Sequence, residues 1–123
     1  MAIRKLDKTK WQAFFDRVSK GLIGKRAEIE IASLALGSQI EAEWLPLFGI
    51  VYDPKNDIIE IALEDLDQMV RTPREVYIDD SPSGLASVQI IDGDGARHII
   101  KLRDPLMLPP SAAAPAQTES WGN

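Results

Sequence analysis

The sequence contains no cysteine and a single histidine, His98. The first absence excludes disulfides, thiolate metal sites and cysteine nucleophiles together. The second leaves too little for a hydrolytic triad or a histidine-built metal centre. Aromatic residues make up only 7% of the chain. No apolar run approaches the roughly 20 residues that span a bilayer as a helix. The N-terminus lacks the apolar stretch and small-residue cleavage site of a secretory signal. Neither G-x-x-x-x-G-K-[ST] nor G-x-G-x-x-G occurs, so no glycine loop of either kind cradles a phosphate. These absences point to a cytoplasmic, non-enzymatic protein with no membrane span, no cofactor and no metal.

What is present is an ordinary globular balance: 45% hydrophobic and 27% charged residues in a chain of 123. One domain of that size buries roughly two-thirds of its unfolded surface without staples. The net charge of −5 hides an asymmetry. Residues 1–26 carry eight basic and two acidic groups, or +6; the remainder carries six and seventeen, or −11. An acidic body repels nucleic-acid backbones and argues against DNA binding. The basic start either complements that body internally or forms a surface for an acidic partner or membrane.

Thr9 and Gln12 form a T-x-x-Q capping box at a helix start. Trp11, Phe14, Phe15, Val18 and Leu22 then make one apolar stripe of helical period. Such a stripe docks a helix on a sheet or, less often, offers a ligand platform. Gly21 or Gly24 ends the helix in a left-handed conformation. From Arg26 onward the period becomes two. Strands are expected at 26–31, 39–44, 48–52, 58–63, 75–79, 86–92 and 97–102, with a helical turn at 66–70. Gly93, Asp94 and Gly95 tip the last hairpin. A calcium loop at Asp92–Gly95 would need further ligands and helical flanks. The expected fold class is α+β: an N-terminal amphipathic helix on a bent antiparallel sheet or small partly open β-barrel of about five or six strands. Sm-like and SH3-like barrels are the analogues. The domain is expected over 1–108. An Ala/Pro/Ser-rich disordered tail follows at 109–123, where Trp121 is either incidental or a docking motif.

Pairing of the first two strands puts Glu28, Glu30, Glu41 and Glu43 on one face. Like charges set opposite each other cost stability, which solvent, Lys25 and Arg26, a hard cation or a basic partner would offset. Residues 79–84 fit D-x-S-x-x-G, which resembles the second motif of PilZ domains, small barrels that bind a cyclic dinucleotide. That resemblance implies a ligand site of Arg71, Arg74, Asp79, Ser81 and Gly84. The arginines are spaced R-x-x-R here, where those domains have R-x-x-x-R further upstream. The 52–56 turn is similar to the Sm-type turn, with a miss in its Asp-to-Asn spacing that argues against RNA.

A wider similarity runs through Trp11-Gln12, residues 15–20 and 24–30, residues 39–47, Thr72-Pro73-Arg74-Glu75-Val76-Tyr77 and residues 102–106. Together they resemble a family of small bacterial proteins catalogued only as a domain of unknown function, over residues 4–108. The resemblance implies a bacterial stand-alone domain and carries over no functional residue. The reading that follows is a protein-interaction or adaptor module with an unidentified protein partner. The alternative is a small-ligand sensor for a cyclic dinucleotide or other nucleotide. Homodimerisation through strand edges is open.

Overall fold

The computed structural model describes residues 2–21, 25–35, 37–81 and 84–106. A strand, β1 (Ala2–Leu6), leads through a 3₁₀ turn (Lys8–Lys10) into helix α1 (Trp11–Lys20). Seven strands follow: β2 (Arg26–Ser33), β3 (Gly37–Asp53), β4 (Ile58–Leu63), β5 (Leu66–Arg71), β6 (Glu75–Ser81), β7 (Gly84–Ile91) and β8 (Arg97–Leu106). They form one antiparallel sheet in the order β1-β6-β7-β8-β2-β3-β4-β5. The α+β class holds, with eight strands rather than five or six. The sheet is open rather than closed into a barrel, with β1 and β5 at its edges.

Three local expectations are corrected. Asp7 caps the 3₁₀ turn that leads into α1, and α1 itself has no side-chain cap: Asp7 accepts from the Thr9 backbone N–H at 2.9 Å and from its hydroxyl at 2.8 Å. Thr9 therefore donates where the capping box needs it to accept. Gly21 ends α1 at φ −103°, outside the left-handed region; Leu22 and Gly24 lie outside the described residues. The segment at 66–70 is strand β5, because Val70 alone is buried there and β4 supplies the ladder that a helical turn would forgo.

The segments at 39–44 and 48–52 are parts of one strand, β3, which changes partner midway. Its first part pairs with β2 up to Arg26–Pro46, and its second with β4 from Leu47–Leu63 onward. The register slips by one residue on either side of the Ile29–Ala42 pair and again between Leu47 and Gly49. Each slip leaves an extra residue on β3, and such bulges bend and twist a strand. Trp44 sits in one of them at φ +54°, a region a bulky residue rarely occupies. The Arg26 guanidinium donates to its carbonyl at 3.0 Å.

Once β3 leaves β2, one of its edges is bare, and α1 covers it. The Ser19 hydroxyl donates to the Ile50 carbonyl at 2.9 Å and accepts from the Ile50 N–H at 3.0 Å. One side chain thus satisfies both polar groups that a neighbouring strand would have paired. The helical stripe is core: Trp11, Phe14, Phe15 and Val18 are buried. Trp11 packs edge-to-face on Tyr52 at 5.1 Å and donates its indole N–H to the Leu6 carbonyl. Tyr52 donates to Asp57 at 2.9 Å; burial first, and that bond to a carboxylate second, push its phenol up to about 12.

Candidate functional site

The turn that resembles the PilZ motif is a hairpin tip: β6 runs on to Ser81 and β7 begins at Gly84, at φ +120°. Asp79 and Asp80 are register partners of Ile3 and Ala2 on β1, and Asp80 pairs with Arg4 at 3.4 Å. Arg74 lies at the other end of β6, so at the rise of an extended strand Ser81 is on the order of 20 Å away. Arg71 ends β5 in register with Ile58. The structure therefore separates Arg71 and Arg74 from Asp79, Ser81 and Gly84. Pro82, Ser83 and the tail with Trp121 lie outside the described residues.

The four glutamates do share the side of β2 and β3 opposite the buried pair Ile29 and Ala42. They are not equivalent. Lys101, on β8, stands 3.9 Å from both Glu28 and Glu30, and the Ser38 hydroxyl donates to Glu30. Glu41 and Glu43 are exposed. Among the described residues no three or more histidines and carboxylates are grouped to hold a metal ion.

Asp92-Gly93-Asp94-Gly95 is a hairpin turn organised by its first carboxylate. Asp92 accepts from the Asp94 N–H at 2.9 Å and the Ala96 N–H at 3.0 Å through Oδ1. Its Oδ2 is 2.9 Å from His98 Nε2. Burial pulls the Asp92 carboxyl up, but the bonds from His98, Ala96 and Asp94 outweigh it and hold the group below its usual range. His98 is itself buried on the core side of β8, and its Nδ1 has no partner among the described residues. Asp92 thus ties the buried His98 ring to the turn.

Two surfaces stand out that sequence patterning does not display. The first is the outer face of β3–β5. Its rows, read across the ladder, are Asp53–Ile58–Arg71, Val51–Glu60–Met69 and Gly49–Ala62–Asp67. Val51, Met69 and the bulge residue Phe48 are 50%, 43% and 62% exposed. Glu64 and Asp65, in the turn that follows β4, are exposed as well. The result is a face of exposed apolar side chains interleaved with carboxylates, Glu60 standing between Val51 and Met69 and Arg71 closing one end. The second is a cleft of ≈ 420 Å³ lined by Lys5, Leu6, Asp7, Lys8, Trp11 and Arg74. The sequence singles out Arg74 and offers the Trp11 stripe as core or ligand platform, whereas Lys5 and Lys8 enter it only as charge.

Fold and surfaces together define a small antiparallel α+β domain with segregated charge. The chain belongs to the Family of unknown function (DUF5335), whose model matches residues 2–111. It is 31% identical over 110 residues to an uncharacterized protein of the bacterium Aquifex aeolicus (strain VF5), a match spanning 89% of this chain and 99% of that protein. No solved structure matches it. No helix among the described residues is long and apolar enough to cross a membrane.

Proposed function

We propose that this protein is a non-enzymatic interaction module of the bacterial cytoplasm. Its docking surface is the outer face of β3–β5, and its partner presents a basic segment carrying apolar side chains. The observation that supports this reading is the exposed strip of Phe48, Val51 and Met69 beside Glu60, Glu64, Asp65 and Asp67. Exposed apolar side chains interleaved with charge suit an interface. The sign of that charge selects a basic partner and rejects nucleic acid. Nothing in the core needs these side chains: their strand neighbours Leu47, Ile50 and Val70 already fill the inner face.

The test is affinity capture from the native cell extract with the wild-type chain and a Val51→Lys/Met69→Lys variant. Both substitutions fall on exposed positions, so the fold is retained. A partner held by the wild type and lost by the variant is the expected result. Identical capture by both, or none by either, defeats this reading.

A further inference from the structure

The cleft beside β1 shares no residue with the docking face. We propose that it is a binding site for the phosphate group of a small molecule, held by Lys5, Lys8 and Arg74. Long-range pairing builds it. Antiparallel contact of β1 with β6 puts Lys5 opposite Tyr77 and Leu6 opposite Val76, which brings the end of β1 up to Arg74. Leu6 and Trp11 form an apolar floor and are almost wholly buried. Trp11 spends its one donor inside, on the Leu6 carbonyl. The polar chemistry of the cleft is therefore that of its charged walls.

Those walls carry three cations and one carboxylate. The carboxylate is already committed, since both bonds to Asp7 come from Thr9 and fix it as the cap of the 3₁₀ turn. The cations are not committed to the same degree. Arg74 has no carboxylate within salt-bridge distance among the described residues, and its guanidinium donates only to the Gly93 carbonyl, at 3.4 Å. Most of its five donors remain to grip a planar pair of oxygens. Lys5 meets Glu75 at 3.5 Å and Lys8 meets Asp57 at 3.6 Å, with both lysine side chains more than half exposed. Exposed pairs of this kind are worth little and yield readily to a better anion. Lys8 also lies over the Trp11 ring at 5.3 Å, which holds its ammonium at the cleft.

Helix α1 begins at this same point, and its N-cap residue, Lys10, makes no side-chain cap bond. The positive end of a ten-residue helix thus adds to the cationic walls. Three cations converge here, and two of their carboxylate partners, Glu75 and Asp57, hold them only in exposed pairs that a doubly charged oxyanion displaces better than a monocarboxylate does. The volume admits a phosphate with a small organic body resting on Leu6.

The experiment is an NMR titration of the isotope-labelled full chain with inorganic phosphate, pyrophosphate and adenosine monophosphate. Saturable shifts are expected at Lys5, Lys8, the Trp11 indole and Arg74. Arg74→Gln and Lys8→Gln should each weaken binding about tenfold, the scale of a lost charge-assisted bond. Lys101→Gln, which removes a cation elsewhere on the sheet, should leave binding unchanged. Adenosine monophosphate binding more tightly than inorganic phosphate identifies an organic phosphate as the ligand; the reverse order identifies the free ion. No saturable response to any of the three overturns the proposal. So does one spread evenly over Lys101 and the other exposed cations. Lys8→Gln changes an exposed side chain and carries the test if Arg74→Gln disturbs the turn it bonds.

Discussion

Asp92 shows how much one side chain can carry. Its two oxygens close a turn, hold a buried imidazole and sit largely out of water. The energetic consequence has a definite sign. A carboxyl whose folded-state pKa lies below its unfolded value binds fewer protons when folded. Its stabilisation is complete above the ordinary value of 3.8 and is lost as pH falls through the folded-state value. Asp92→Asn should therefore cost about 1–3 kcal/mol at neutral pH, because it breaks a buried bonding set. It should also flatten the acid limb of the stability curve below about pH 4. Urea melts of both proteins across that range check both expectations. A variant whose stability falls as steeply with acid as the wild type's would show that other carboxyls set the limb. The importance of Asp92 was half visible beforehand: D-G-D-G marked a hairpin, but the pairing of its first residue with His98 across the turn was not read from the pattern.

At the scale of elements, legibility followed burial. Helix α1, β2, β4 and the β7–β8 hairpin have two or more buried residues at a regular period, and that period is what the sequence displays. Edge strands lack it. In β5 only Val70 is buried, and among the described side chains of β1 only Leu6 joins the core, with Ile3 at 59% exposure. Such strands exist because a neighbour offers them a ladder, which is a tertiary fact. β3 reads as two strands because the alternation breaks around its bulges; Pro46 sits where the partner changes, and its carbonyl accepts from the Glu64 N–H. The candidate phosphate cleft was hidden for the same reason, since Lys5 and Arg74 meet only through the β1–β6 pairing. The seam between α1 and β3 provides an element-scale prediction. Ser19→Ala strips the partners from both polar groups of Ile50 and should cost about 1–3 kcal/mol by chemical denaturation. Ser19→Thr, which keeps a hydroxyl, should recover part of it. A loss under about 0.5 kcal/mol in the alanine variant would mean that water replaces the hydroxyl.

For the whole molecule, strand order ranks the local stabilities. β8 and β2 lie in mid-sheet with partners on both sides, whereas β1 and β5 have one partner each. Hydrogen exchange should be slowest at Ile29, Ile31, Ile99 and Ile100 and fastest along β1 and β5. Uniform exchange would mean that the sheet opens as a single unit. The two edges are also where copies of the chain could pair; the charged Arg4 and Lys5 on one and Asp67 and Arg71 on the other are the residue types that discourage it. The order of strands also has a consequence for synthesis. β2 leaves the ribosome well before one of its two neighbours, β8, which is the last described segment to be made. At typical elongation rates that gap is on the order of 4–15 seconds. During it β2–β5 can pair as one meander and β6–β7 as a hairpin with β1, but β8, which joins the two, is missing, and β2 travels with one side unclaimed. A nascent chain of this design offers chaperones a defined target, and any pause in translation before residue 97 would prolong its exposure.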